Sequence, residues 1–162
     1  MLDVHPTATV SSLADIEMST LGSIVKIGPD SNIDSFVRFR AAGGLGSVQI
    51  GQRCFVNSGC VIYFGNGIVI GNYVSIGANC VLAPTNHEFK DRGKPIQFQG
   101  FRESKGGIVI EDDVWIGAGS VVLDGAIIRK GAIVGAMSLV RGEVSEFTIV
   151  GGNPLRKLGE RP

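Results

Sequence analysis

Only two imidazoles, His5 and His87, are available in this 162-residue chain to carry a proton near neutral pH. His87 closes the segment Leu82-Ala83-Pro84-Thr85-Asn86-His87-Glu88, where an ordered aliphatic spacing gives way to a polar stretch. A base placed there could deprotonate a hydroxyl or an amine. A lone histidine is equally an ordinary loop residue, so its surroundings decide. Two histidines cannot supply a three-imidazole zinc site, and no metal is expected. The cysteines, Cys54, Cys60 and Cys80, form an odd and sparse set that suits core filler better than a disulfide frame or a nucleophile.

The elements that must hold His87 are visible as a six-residue beat. An aliphatic or aromatic residue returns at Ile27, Ile33, Phe39 and Leu45, slips by one residue, and continues at Ile50, Val56 and Ile62. It resumes at Ile70, Ile76 and Leu82, and again from Ile110 through Ile116, Val122, Ile128 and Val134 to Val140. Val4, Val10 and Ile16 keep the same interval near the start. Glycine or an acid often follows the aliphatic residue, and a small or β-branched residue stands four places after it, at Cys54, Cys60, Val74, Cys80, Val114 and Ser120 among others. Neither a 3.6-residue helical period nor the alternating runs of a meander fits this pattern. Short strands separated by sharp turns do, wound into a solenoid whose aliphatic and small positions stack inward.

Two breaks interrupt the beat. The longer, at about 88–107, carries charges together with Pro95, Ile96, Phe98 and Phe101. It reads either as a disordered excursion or, preferably, as an arm reaching over a neighbouring subunit. The shorter, Tyr63-Phe64-Gly65-Asn66-Gly67, contains an Asn-Gly turn signal.

The pattern resembles the hexapeptide-repeat acyltransferases. The resemblance is most specific over Ile110-Glu111-Asp112-Asp113-Val114-Trp115-Ile116-Gly117-Ala118-Gly119, Val134-Gly135-Ala136-Met137-Ser138 and Ile149-Val150-Gly151-Gly152-Asn153-Pro154, which are similar to the sugar, polysaccharide and xenobiotic O-acetyltransferases of that class. It implies an all-β fold, a left-handed parallel β-helix, as one domain over 1–162, assembled as a homotrimer. It also implies acetyl-coenzyme A as co-substrate, His87 as general base, and an acceptor side formed by Asn57, Asn86 and Trp115. The pantetheine arm would lie along Gly117, Ala118 and Ala136, with Arg141, Arg156 and Lys157 available for its phosphates. Backbone N–H groups near Gly117 and Ala118 would stabilise the oxyanion. Trp115 could instead be a packing ring, Asn57 a ladder residue, and any of the cations simply solvated.

This chain departs from its relatives in two places. Val140-Arg141-Gly142-Glu143 stands where many carry a lysine for the coenzyme phosphate, and Gly65-Asn66 stands where galactoside-type members place an acid toward the acceptor. The acceptor implied is a hydroxyl or amine of a sugar, as in cell-surface polysaccharide or lipopolysaccharide biosynthesis. Serine or antibiotic acetylation is the alternative within the enzymes, and a non-catalytic scaffold the alternative outside them.

Composition narrows the partners. Fifteen basic and fifteen acidic residues leave no net charge, which removes the field that nucleic acid or an anionic membrane surface requires. No apolar run is long enough to span a bilayer, and the expected location is the cytoplasm. Twenty-four glycines in a chain that is 44% hydrophobic fit a tightly turning repeat better than disorder.

Overall fold

A computed structural model describes residues 1–162. The chain winds into a three-sided prism of parallel strands. The first face has seven strands, Leu2–Val4, Val25–Ile27, Val48–Ile50, Ile68–Ile70, Ile108–Ile110, Ala126–Ile128 and Glu143–Val144. The second runs from Thr9–Val10 through Asn32–Ile33, Phe55–Val56, Ser75–Ile76, Trp115–Ile116 and Ile133–Val134 to Thr148–Gly151. The third stacks Asp15–Ile16, Arg38–Arg40, Val61–Tyr63, Val81–Ala83, Val121–Leu123 and Leu139–Val140. The only helical element is a 3-10 turn at Ile96–Phe98, and no helix is long and apolar enough to cross a membrane.

The hexad dictates this shape because only its inward positions need to be apolar. Ile27, Ile33, Phe39, Ile50, Val56, Ile62, Ile70, Ile76 and Leu82 are all buried, and so are the small residues Ser31, Cys54, Cys60, Cys80, Ser120 and Ser138 that stand four places after an aliphatic one. Each buried Ile, Leu or Val contributes roughly 1.5–3 kcal/mol relative to exposure. The cysteines are free and buried, and burial pushes the Cys54 thiol above its ordinary range, as suits core filler. Glycine after the aliphatic residue has a steric reason. A Cβ built on Gly117 would lie 2.4 Å from the backbone nitrogen of Ala136 in the next coil.

Leu45 departs from the expected column: it is 70% exposed. The beat is interrupted there by an insertion, Ala41–Ser47, after which Val48 and Ile50 resume the core. Val4, at the open end of the solenoid, is also exposed, whereas Val10 and Ile16 pack partly against the core. The far end is closed by an antiparallel pairing of Thr148–Gly151 with Arg156–Glu160.

All variation in coil length falls at one corner, between the third face and the first. The insertions Ala41–Ser47, Phe64–Gly67 and Pro84–Gly107 stack there, one coil above another. They hold each other: Asn66 Nδ2 donates to Pro84 O at 2.6 Å, and Phe101 lies over Gly43. The turn expected at Asn66-Gly67 forms, with Gly67 N donating to Phe64 O and Phe64 fully buried beneath it. The long excursion is a defined arm. His87 bridges Phe101 across its base, Arg102 N donates to Asn86 O, and Asp124 accepts from Lys105 N, Gly107 N and Ser104 Oγ where the chain returns.

Candidate active site

Corner residues are exposed, so what a corner presents depends on which backbone groups its turns leave free. At the second corner, between the second and third faces, the turns read Asn57-Ser58-Gly59, Gly77-Ala78-Asn79, Gly117-Ala118-Gly119 and Gly135-Ala136-Met137. The middle residue of each, Ser58, Ala78, Ala118 and Ala136, donates its N–H to nothing in the chain. Four successive coils thus carry an open row of donors among small side chains. Gly117 does not extend that row: its N–H donates to Val134 O at 2.7 Å and its carbonyl accepts from Cys80 Sγ. Of the two oxyanion donors expected near Gly117 and Ala118, only Ala118 is free.

At the first corner, between the first and second faces, the corresponding groups are mostly spent. Gln52 N donates to Asn72 Oδ1, Asn72 N to Asp112 Oδ1, and Lys130 N to Glu111 Oε2, while Pro29 has no N–H to offer. Arg129 first, and the Lys130 N–H next, hold the Glu111 carboxyl below its usual range.

His87 stands at the third corner, exposed at the root of the arm. Its ring packs on Phe101 with centroids 4.9 Å apart and makes no hydrogen bond within the chain. Both nitrogens are therefore free to meet a ligand. Asn86 beside it lines a groove of about 540 Å³ that continues past Leu123 and Gly125 to Arg141.

The structure does not gather the remaining candidates around His87 in one chain. Trp115 is 55% exposed and points outward from the second face. Asn57 is exposed at the second corner, and its Nδ2 donates to Ile76 O at 2.7 Å, the ladder contact that the sequence left as its alternative. Ala118 and Ala136 share that corner with Asn57, a full face away from His87. Arg156 and Lys157 lie on the closing strand, where Lys157 Nζ is paired with Glu160 at 2.6 Å and Arg156 makes no ion pair. Arg141 also makes no ion pair and lies with Asn153 and Leu155 on one side and the Asn86 groove on the other. Gly65 and Asn66, where an acceptor acid was absent, are absorbed into the stacking of the insertions.

Residues 107–142 match the family description "Bacterial transferase hexapeptide (six repeats)". Hexapeptide repeats of this kind are thus present over residues 107–142. It is 33% identical over 108 residues to a chloramphenicol acetyltransferase of Klebsiella aerogenes, covering 58% of this chain and 51% of the relative. It is 28% identical over 140 residues to a dTDP-4-amino-4,6-dideoxy-D-glucose acyltransferase of Escherichia coli, covering 85% and 72% respectively. The chain spans about half the length of the curated relatives it matches first. Its fold matches that of AntD, an N-acyltransferase from Bacillus cereus, in complex with dTDP-4-amino-4,6-dideoxyglucose and coenzyme A, with a TM-score of 0.82, 23% identity and coverage of 99% and 84%. The architecture is the left-handed parallel β-helix of such proteins.

Two features of the hexapeptide-repeat chain escaped the sequence reading. One is the open donor row, because hexad spacing says nothing about which corner N–H groups find partners. The other is the cationic lining of the Asn86 groove, where Arg102 and Lys105 come from the arm. A usable signal for the second was Asp124, an acid directly after the aliphatic Val121-Val122-Leu123 run, which anchors the arm's return.

Proposed function

We propose that this protein transfers an acyl group, most simply acetyl, from acyl-coenzyme A to a hydroxyl or amine of a sugar. The observation that carries the reading is the open row of N–H donors at Ser58, Ala78, Ala118 and Ala136. Pantetheine is an extended chain with two amide carbonyls, and such a row can receive them without rearrangement. Arg156, unpaired near the end of that corner, is the cation best situated for the coenzyme's phosphates, with Lys157 beside it.

His87 takes the proton from the acceptor's O–H or N–H, and the freed lone pair attacks the thioester carbonyl. The developing oxyanion receives the Ala118 N–H. The C–S bond then breaks, and the coenzyme leaves as a thiol after accepting the proton held by the imidazolium. No acyl-enzyme is formed.

His87 and the donor row occupy different corners, so one chain alone does not assemble this site. A second copy that sets its second corner against the third corner of the first would complete it. Closed cyclic symmetry repeats that contact, and a homotrimer is the proposed assembly. The exposed Phe89, Ile96 and Phe98 of the arm would then cover the neighbour, and Trp115 would approach the reacting centre from it. The sugar setting is supported by the sugar-nucleotide relative, and cell-surface polysaccharide is the destination proposed for the product. The similarity to the chloramphenicol enzyme keeps an antibiotic hydroxyl as the second reading.

The test is thiol release from acetyl-coenzyme A over a panel of sugars, nucleotide sugars and chloramphenicol, with wild type beside His87→Gln. Turnover that depends on acceptor and on His87 is expected. Coenzyme binding with no turnover on any acceptor would establish the scaffold alternative instead.

A further inference from the structure

His87 is held by the arm and not by a hydrogen bond to its ring. Arg102 N donates to Asn86 O at 2.8 Å and Glu88 N donates to Gly100 O at 3.0 Å, one bond on each side of the bridge between His87 and Phe101. That pattern makes His87 and Phe101 a non-hydrogen-bonded antiparallel pair, the kind whose Cα atoms lie closest, at about 4.5 Å, with both side chains on one side of the ladder. The two rings accordingly meet, with centroids 4.9 Å apart and planes tilted by 31°. Phe101 is backed in turn by the insertion two coils earlier. A Cβ on Gly43 would lie 2.9 Å from Cε2 and 3.0 Å from Cδ2 and Cζ of the Phe101 ring, so the ring keeps its seat only because residue 43 has no side chain. Beyond the bridge, Gln99 ties the two limbs of the arm: its Oε1 accepts from Asp91 N, and its Nε2 donates to Asp91 O and Lys94 O. Glu88, the carboxylate next to His87 in the chain, is engaged by Phe89 N and Lys90 N and does not serve the imidazole. Phe101 itself stays 47% exposed, so burial alone is a weak reason for an aromatic ring at this position.

We propose that Phe101 is the positioning residue of the base: its ring, backed by Gly43, holds the His87 imidazole in one orientation while leaving both of its nitrogens free. The inference rests on the acyl-transfer reading for what His87 does, and on the pair of rings for how it is held. An exposed imidazole on an unsupported loop would sample several rotamers. Catalytic imidazoles are commonly oriented through a hydrogen bond at the nitrogen that does not react, and His87 has no such partner in the chain. A cross-strand ring against one face of the imidazole removes the same freedom by contact. The requirement is strict, because misplacing a reacting group by about 1 Å can cost on the order of 10²-fold in rate. The chain of contacts from Gly43 through Phe101 to His87 also ties the base to the solenoid wall, so that its height is set by stacked insertions and not by the arm alone.

The experiment uses the full chain and reads the placement of the ring apart from turnover. Placement is read from the proton NMR signals of the His87 imidazole, assigned by their loss in His87→Gln and referenced to His5, the other imidazole of the chain. The neighbouring ring displaces those signals by its ring current, so Phe101→Leu should remove the displacement and Phe101→Tyr should keep it, with the His5 signals unmoved in both. In turnover, Phe101→Leu is expected to lower kcat about 10–100-fold with KM for acetyl-coenzyme A within about two-fold, and Phe101→Tyr should stay within about three-fold of wild type. Gly43→Ala, which displaces the Phe101 ring, should lower kcat in the same way, and adding it to Phe101→Leu should cost less than about two-fold more, because both act through one contact. Gly22→Ala imposes comparable backbone strain, at φ +91 against +81 for Gly43, but its Cβ meets nothing within 4 Å, so it should lower the melting temperature and leave kcat unchanged. Unmoved His87 signals in Phe101→Leu, a kcat within about two-fold of wild type, or a loss that falls on KM for acetyl-coenzyme A overturns the proposal. Signals that move as expected, with no acyl transfer by the wild type to any acceptor, would leave Phe101 as the residue that holds His87 and sink the acyl-transfer reading.

Discussion

The first and second corners are built from the same turn, yet they present opposite surfaces. Both carry residues in the left-handed region, Asp30, Arg53, Tyr73, Asp113 and Phe147 at the first and Phe36, Asn79 and Met137 at the second. Both place one middle residue per coil with its N–H directed away from the wall. At the first corner, Asn72, Asp112 and Glu111 reach across to satisfy the N–H groups of Gln52, Asn72 and Lys130, while Asp112 and Glu146 keep theirs free. At the second, alanine and serine stand in the same positions and reach nothing. The first corner is a seam that ties the coils together. The second is left open, and an unfilled donor row beside small side chains is what an extended polar ligand requires. The fold therefore allots structure to one edge and recognition to another by side-chain choice alone.

The sharpest way to break this division is at the third corner, because an open row is idle unless a base faces it. His87→Gln keeps the size and polarity of an exposed side chain and removes the titrating imidazole. The expected result is a loss of about 10²–10⁴ in kcat with KM for acetyl-coenzyme A little changed. A rate within a few-fold of wild type would separate the donor row from any role for His87.

Gly117→Ala probes the wall beneath the open row. Its new Cβ would sit 2.4 Å from Ala136 N, against backbone that cannot swing aside. Prying two coils apart should cost about 1–3 kcal/mol, or roughly 2–10 °C in melting temperature. Calorimetric melting that shows no loss would mean that the coils are less tightly stacked than this geometry requires.

The comparison also supplies its own probe of the donor row. Pro29 follows Gly28 at the first corner in the position that Ala136, following Gly135, occupies at the second, so the turn accepts a residue without N–H. Ala136→Pro should therefore fold and raise the Kd for coenzyme A about ten-fold, the equivalent of one lost hydrogen bond of roughly 1.4 kcal/mol. Gln52→Pro, at the first corner, should leave coenzyme affinity unchanged. Equal effects from both substitutions would erase the distinction between the corners.

What could be read from the sequence followed from periodicity. Ile70, Ile76 and Leu82 had to point inward because a six-residue beat has no other compact solution, whereas glycine after the aliphatic residue read only as a turn former, and the close approach of the next coil is a property of the structure. Leu45 fits the beat by chance, since an insertion of small residues carries no signal that separates it from a coil. The site was legible where one residue's chemistry stands alone, as with His87. It was not legible where the property is relational. Whether Gly117 or Ala118 keeps a free N–H depends on Val134 in the next coil, and the convergence of Arg102, Lys105 and Arg141 depends on an arm pinned by Asp124.

The smallest expected effect tests the seam itself. Glu111 accepts from Lys130 N and from Arg129 Nη1, each at 2.8 Å, and Arg129 also bonds Glu143. The carboxyl is held below its ordinary value of 4.5, first by the Arg129 hydrogen bond and then by Lys130 N–H. A carboxyl whose folded value lies below the unfolded one stabilises the fold fully above the unfolded value and loses that contribution as pH falls through the folded one. Because both side chains are more than one-third exposed, solvent screening keeps the contribution of the pair small. Glu111→Gln should thus melt about 1–2 °C lower than wild type at pH 7, and the difference should shrink as pH is taken below 4.5. Coenzyme affinity should not move, because the groups that Glu111 ties belong to the closed corner. A change in coenzyme binding with no change in melting would reverse the roles assigned to the two edges.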